Sequence, residues 1–370
     1  MASARDVAES AGVSVSTVSR ALASTGRVSP ATRDRVVAAA ARLGYQPDPT
    51  ARGLRMGRTH AIGLLVPDLE NPYFASVTKG VQARARALGY AVFIVDSEED
   101  ATSETELVGE LARRVDGVLL ASPRSGDEEV LGLASDVPTV LVSREIGALP
   151  SVAVDDHDGV AQALRHLYVL GHRRVAVAAG PVSSWSSERR SEGLRRAAES
   201  LDGLALVELG AFSPYFSGGF AAADHVLAQD VTAVVAFNDL MALGMLGRFR
   251  DRGVGVPADV SVVGFDDVAV ATLVSPALTT VRVPRTRLGR RAVDLLVGAI
   301  GSELPAGPAA AGARPGPAVD RLPVELVVRG STGTIHEGSG SRAGAAAGTS
   351  APQHVPVEKH HPLVDVDEGS

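Results

Sequence analysis

Short, mostly apolar runs recur along this chain, and their spacing is what most restricts its fold. Ala61-Ile-Gly-Leu-Leu-Val66 comes first, followed by Ala91 to Val95, Val115 to Leu120, Thr139 to Ser143, Arg174 to Ala178, Ala233 to Phe237 and Val260 to Phe265. Runs of this length with little polar alternation read as strands buried on both faces. Between them lie helical stretches, among them Asn71-Pro72 to Leu88, Gly159 to Leu170, Glu188 to Ser200 and Asp239 to Arg252. Strands separated by helices predict parallel sheets covered on both sides, and so many strands suit two doubly wound lobes rather than one. A chain of 370 residues can give each lobe a sizeable core.

The first sixty residues follow a different rule. Val7, Ala8 and Ala11 recur at helical spacing, as do Val15, Val18 and Leu22, and Gly12 breaks the two patterns. Ser14 is placed to cap the second helix, which leaves Val15, Ser16 and Thr17 in its exposed first turn and Arg20 one turn on. Two short helices about a tight turn match the geometry of a major-groove reader, although periodicity alone also allows a packed helical hairpin. A third helix opens at Ser29-Pro30, carries Val36, Ala40 and Leu43 as its stripe and stops at Gly44. Charge separates the possibilities. Residues 1–58 hold nine Arg and four acidic residues, net +5, whereas the remaining 312 residues are net −12. Phosphate contact is therefore expected in the N-terminal module alone.

Asp6-Val-Ala-Glu-Ser-Ala-Gly-Val-Ser-Val-Ser-Thr-Val-Ser-Arg20, with Val28-Ser29 and Gly44-Tyr45, resembles the headpiece of the lactose-repressor/galactose-repressor (LacI/GalR) family of bacterial transcription regulators. Phe237-Asn-Asp-Leu-Met-Ala-Leu-Gly244, Val256-Pro-Ala-Asp-Val-Ser-Val-Val-Gly-Phe-Asp-Asp267 and Ser275-Pro-Ala-Leu-Thr-Thr-Val281 resemble its effector-domain signatures. The resemblance runs from about Ala4 to about Thr334. It implies an α/β protein in which an all-α helix-turn-helix headpiece, residues 1–45, and a hinge, 46–58, precede a two-lobed domain of periplasmic-binding-protein type, 59–334. The N-lobe would take about 59–158 and 290–322, the C-lobe about 159–289 and 323–334, and 335–370 would form a disordered tail. The partners implied are a pseudopalindromic double-stranded operator, a second copy of the chain and a small effector, with no cofactor, metal or membrane.

For DNA, the resemblance assigns contacts to Ser14, Val15, Ser16, Thr17, Ser19 and Arg20. Val15 can touch a thymine methyl, Ser16 can bond several bases, and Arg20 can reach guanine bidentately. In the hinge, Pro47 and Pro49 prevent helix up to Thr50, and the segment beyond is too short to be helical alone in water, so its residues read equally as a flexible linker. The resemblance makes it a helix that orders on the operator, with Leu54 wedged into the minor groove at a central CG step and Arg52 and Arg55 beside the phosphates.

Ligands of doubly wound sheets bind beyond the carboxyl ends of the strands. The residues there include Asp68, Asn71, Tyr73 and Phe74, then Ser143 and Arg144, the stretch Gly180 to Arg190, Asn238 and Asp239, and finally Asp266 and Asp267. Carboxylates, amides, hydroxyls and Arg with few aromatics suit a polyhydroxylated ligand. By the family motifs Arg190, Asn238 and Asp266 are effector contacts, with Ser184 and Ser186 in the neighbouring loop and Phe74 as aromatic platform; Asp68 and Arg144 are further candidates. Asn238 could instead cap the next helix. A sugar is the leading ligand class, and a nucleoside or nucleobase is the alternative if Tyr73, Phe74 and the sole tryptophan, Trp185, all turn inward. Trp185 could equally sit in the core of its lobe. Asp155-Asp-His-Asp158 reads as a strand-end turn rather than a metal site.

With no Cys, disulfides and Cys-ligated metal centres are excluded. No export signal or bilayer-spanning run is visible, so a cytoplasmic location is expected and a solute-binding protein built from the same lobes is disfavoured. Neither a Walker loop nor a GxSxG, HExxH or dinucleotide fingerprint occurs, which argues against an enzyme. Glu303 to Asp320, rich in Pro, Ala and Gly, reads as a surface loop. The tail beyond Ile335 has one Leu, Leu363, and no heptads, so the tetramerising leucine helix of the lactose repressor is absent and a homodimer is expected.

Overall fold

The structure is a computed structural model, and it describes residues 2–22, 28–45, 58–147, 149–302 and 319–335. Three helices form the N-terminal module: α1 (Ala4–Ala11), α2 (Val15–Leu22) and α3 (Pro30–Leu43). Helix α1 starts in a capping box, with the Asp6 amide donating to Ser3 Oγ and the Ser3 amide to the Asp6 carboxylate. It ends at Gly12, whose φ of 64° an L side chain would resist. Ser14 accepts the Thr17 amide at the start of α2, and Ser29 accepts that of Thr32 at the start of α3. Val7, Ala8, Ala11, Val18, Ala21, Val36, Ala39 and Ala40 form the small core. The expected stripe of α3 needs correction: Leu43 is exposed, and Ala39 is buried in the core instead. Only small residues let helices this short approach closely enough to exclude water.

Beyond residue 58 the chain builds two six-stranded sheets. The first contains β1 (Ala61–Val66), β2 (Ala91–Asp96), β3 (Val118–Ala121), β4 (Thr139–Val142), β5 (Ser151–Val154) and β11 (Val319–Leu322), in the order β11-β5-β4-β3-β1-β2. Each neighbouring pair is parallel. Helices α4 (Pro72–Ala87), α5 (Ala101–Ala112) and α6 (Asp127–Asp136) connect the strands. Alternate residues of β1 feed different cores, Ile62, Leu64 and Val66 on one face and Ala61 and Leu65 on the other, which is why its sequence shows no polar alternation.

The second sheet contains β6 (Arg174–Ala179), β7 (Ala205–Ala211), β8 (Ala233–Ala236), β9 (Ser261–Asp266), β10 (Thr279–Arg282) and β12 (Glu325–Val327), in the order β12-β10-β9-β8-β6-β7. All its pairs are parallel except β10 with β12. Its helices are α7 (Asp156–Val169), α8 (Trp185–Glu199), α9 (Phe216–Leu227) and α10 (Asp239–Asp251). Helix α11 (Arg285–Ser302) returns to the first lobe and packs on α4. A Cβ at Gly80 would meet the Thr286 carbonyl oxygen at 2.2 Å and one at Gly289 the Val77 oxygen at 2.2 Å, so the two helices can touch only through glycine.

The chain crosses between lobes after β5, after β10 and after β11. Two crossings lie side by side, since β11 pairs with β5 and the Asp155 amide donates to the Leu322 carbonyl. The expected loop over 303–320 is corrected at its end: Val319 and Asp320 belong to β11, paired with Ser151 and Val152. Residues 303–318 and 336–370 lie outside the described residues, as do residues 46–57 of the hinge expected over 46–58. Among the described residues no helix is long and apolar enough to cross a membrane.

Candidate functional site

The first turn of α2 exposes its expected residues except Thr17. Val15 is 40% exposed and Ser14, Ser16 and Arg20 are exposed, while Thr17 and Ser19 are half-buried. Ser14 Oγ lies 2.8 Å from Ser16 Oγ and 2.9 Å from Thr17 Oγ1, which ties the hydroxyls to the helix start. Arg20 Nε donates to the Ser16 carbonyl at 3.2 Å, so its guanidinium lies back along its own helix. Its Nη2 also donates to Ser16 Oγ and Thr17 Oγ1 at 3.5 Å, and all these contacts are solvent-exposed. Arg52, Leu54 and Arg55 lie outside the described residues.

The second site is a narrow cleft between the carboxyl ends of the two sheets, with a cavity volume of about 30 Å³. From the first lobe come Asn71, Tyr73, Phe74, Glu99, Ser122, Arg124 and Ser143; from the second come Ser184, Ser186, Arg190, Pro214, Phe237, Asn238 and Asp266. Glu99, Ser122, Ser143 and Asp266 all have positive φ, between 49° and 117°. Backbone in that region is strained for residues other than glycine, and strain of this kind gathers where function, rather than stability, fixes the geometry.

Arg190 is the centre of the second lobe's wall. Its Nε donates to Asp156 Oδ1 at 2.8 Å and its Nη1 to the Phe237 carbonyl at 2.7 Å, and Nη2 lies 3.9 Å from Asp266 Oδ1. The guanidinium lies 3.5 Å from the centroid of the Phe265 ring and 4.9 Å from that of Phe237. Burial pushes the Asp266 carboxyl up to about 7, against the opposing pull of Arg190 and Arg285. Behind it Asp239 is fully buried, accepting the Thr280 hydroxyl and the Val268 amide, and burial with the charge of Asp266 holds it well above the usual carboxylate range. Burial raises Asp156 also, although Arg190 opposes this.

Asn238 combines both of its readings. Its Oδ1 accepts the Met241 amide and caps α10, its Nδ2 donates to the Pro214 carbonyl, and the residue still borders the cleft. Ser184 caps α8, and Ser186 in its first turn donates to the Ser143 carbonyl at 3.3 Å, a bond that joins the lobes. Ser143 Oγ in turn lies 2.7 Å from the Tyr73 hydroxyl. Phe74 meets Tyr73 edge-on, with centroids 5.0 Å apart, and together they form an aromatic wall.

Two expected contacts stand elsewhere. Arg144 is a correction: its Nη1 donates to the Pro123 and Ser125 carbonyls and its Nη2 pairs with Asp127, so it braces first-lobe loops instead of lining the cleft. Asp68 is buried outside the cleft lining, accepting the Glu70 amide through Oδ1, while Oδ2 has no hydrogen-bond partner among the described residues. Burial, and then the charge of Asp68, holds the Tyr215 hydroxyl protonated. Trp185 also lies outside the cleft lining, half-buried on a neighbouring face of α8. Asp155 to Asp158 form the cap and first turn of α7 rather than a strand-end turn, and no metal-binding cluster occurs among the described residues.

Sequence reasoning missed Glu99, Ser122 and Arg124. Arg124 donates bidentately to Glu99 and through Nη1 to Ser122, which makes a paired charge in the first lobe's wall. The signal was present. Reading the third strand as ending at Leu120 rather than Ala121 hid the fact that Ser122 and Arg124 follow a strand end, as Ser143 does.

Residues 3–48 match the family model for bacterial regulatory proteins of the lacI family, and residues 164–332 that for the periplasmic binding protein-like domain. The HTH-type transcriptional regulator DegA of Bacillus subtilis is 33% identical over 341 residues, covering 90% of this chain and 98% of that protein. A crystal structure of the lac repressor dimer bound to operator and the anti-inducer ONPF superposes with a TM-score of 0.77 at 28% identity, over 90% of this chain and 99% of the other. A complex of the transcriptional regulator CelR with cellobiose gives 0.66 at 32% identity, over 90% and 100%.

Proposed function

The chain belongs to the lacI family of bacterial regulatory proteins, and we propose that it is a homodimeric repressor that releases or grips its operator when a neutral sugar enters the cleft between its lobes. The cleft's chemistry carries this reading. Each strong cation in its wall already faces a carboxylate, Arg124 with Glu99 and Arg190 with Asp156, and the remaining lining offers hydroxyls, amides and Asp266, which is only loosely paired with Arg190 at 3.9 Å. Balanced charge with many donors and acceptors suits an uncharged polyol, whose hydroxyls both donate and accept. A nucleoside fits less well, because Trp185 lies outside the cleft and the aromatic wall is limited to Tyr73 and Phe74 beside Phe237. That one neighbour is a cellobiose complex accords with the sugar reading.

A dimer is supported by apolar side chains left on the surface of both lobes. Phe93 stands half-exposed on the edge strand β2, and Phe216, Phe220 and Leu227 form a partly exposed stripe along α9. Two headpieces related by a two-fold axis would read a pseudopalindrome, and the lac repressor structure described above is such a dimer on its operator. As a regulator of DNA it would act in the cytoplasm and catalyse no reaction.

Selection of binding sites from a random duplex library tests the DNA half of the proposal. Pseudopalindromes with a central CG step are expected, and Arg20→Ala should relax preference at one symmetric pair of positions at a cost of about 1–3 kcal/mol. Enrichment of sequences without two-fold symmetry would overturn it.

A further inference from the structure

Helix α11 meets the cleft at one end and the headpiece side of the chain at the other. At its first residue, Arg285 donates through Nη1 to the Asp266 carbonyl, so a helix packed on the first lobe holds the backbone of a second-lobe cleft residue. In its last turn the Ile300 carbonyl accepts Arg58 Nη2 at 2.8 Å. Arg58 is the first described residue after Tyr45, and from it the chain runs back through residues 46–57 to the headpiece. Arg285 and Ile300 stand about 22 Å apart along the axis at 1.5 Å per residue.

The helix is bound to the first lobe along its length. Leu288, Ala292, Val293, Leu296 and Ile300 are buried in the core. Against α4, Gly80 and Gly289 bring backbone onto backbone, and Arg84 Nε donates to Asp294 Oδ1 at 2.5 Å. Surfaces packed this closely have no room to slide past each other. At the far end the Asp116 carboxylate accepts the Thr59 amide at 2.6 Å, the Thr59 hydroxyl at 2.8 Å and the His60 amide at 2.9 Å. A Cβ on the adjoining Gly117 would meet Leu296 Cδ1 at 2.8 Å and Ile300 Cδ1 at 3.1 Å, so this loop lies directly on α11. Arg58, Thr59 and His60 are therefore held against the end of α11, directly or through Asp116.

We propose that α11 transmits lobe rearrangement from the cleft to the start of the segment that leads back to the headpiece, with Arg285 and Arg58 as positioning residues at its two ends. The inference rests on the reading of the cleft as an effector site and of the N-terminal module as a DNA reader. When the lobes rearrange, Asp266 moves with the second lobe and pulls on Arg285, and the helix carries the displacement to Ile300 and Arg58. Coupling of this kind is reciprocal, so loosening either end loosens the other.

Hydrogen exchange of the full-length protein tests this without effector or DNA. Arg285→Ala should speed exchange of the Thr59 and His60 amides at least about threefold. Arg58→Ala should do the same to the Asp267 and Val268 amides, which bond to Thr280 and Asp239, while β7 keeps its wild-type rate. Arg285→Lys keeps a donor for the Asp266 carbonyl and should stay within about twofold of wild type. Unchanged exchange at the far end in either alanine variant, or an equal rise throughout the protein, overturns the inference. On a library-selected operator, Arg285→Ala should shift affinity at least about threefold alone and not at all beside Arg58→Ala, and equal shifts in both backgrounds also overturn it, because independent sites add. Exchange coupling in a protein that binds no operator would uphold the role of the helix and remove the DNA-reading half of the function instead.

Discussion

Asp266 shows most sharply how burial and function trade against each other in the cleft. Its carboxyl is removed from water and held at about 7, against a usual value of 3.8, with Arg190 nearby but committed first to Asp156 and the Phe237 carbonyl. The unfolded chain gives up this proton near pH 4, whereas the folded chain keeps it until near 7. Below pH about 4 the stability associated with the buried proton is fully present, and it is lost as pH rises through the folded value. Wild-type melting temperature should therefore fall between pH 5 and 7 more steeply than that of Asp266→Asn, which has no proton to lose. Parallel curves in thermal melts of the two proteins would contradict this. The same residue was legible from the sequence by motif and by its place after a strand; its protonation was not, because that depends on Asp156, Arg190 and Arg285, which come from three other segments.

At the level of elements, caps and strand ends position the site. Asn238 closes α10 with its carbonyl oxygen and holds Pro214 with its amide nitrogen. Asn238→Ala removes both and should cost about 1–2 kcal/mol, whereas Asn238→Asp keeps the cap acceptor and should recover most of it. Denaturant unfolding of the two variants measures the difference, and equal losses would show that the bond to Pro214, not the cap, matters. The long apolar strands and the capped helices could be read from sequence because their signals are local. The strands β5, β7, β10, β11 and β12 could not, since β7 and β12 are at most half-buried and β11 is paired with a strand, β5, from the first half of the chain. Arg144 illustrates the same limit: it follows a strand as Ser143 does, yet the carbonyls that claim it belong to the loop after β3.

The whole molecule is organised around strands that change lobes. Any ligand that bridges Ser143 and Phe74 on one side and Arg190 and Asp266 on the other must favour one lobe arrangement over another. Much of the cleft was legible in the sequence, because Asn71, Tyr73, Phe74, Ser143, Arg190, Asn238 and Asp266 follow strand ends, whereas the pairing of Arg124 with Glu99 was not, since it joins two different strand-end loops.

The central claim is that a ligand in the interlobe cleft sets operator affinity. The most direct test is fluorescence anisotropy of a labelled, library-selected operator, followed while the protein is challenged with a panel of mono- and disaccharides. At least one sugar should change operator affinity by at least tenfold, and Asp266→Ala should bind the operator normally while losing that response. An operator affinity indifferent to every sugar while a nucleoside alters it, or an Asp266→Ala protein responding at the wild-type sugar concentration, would contradict the account.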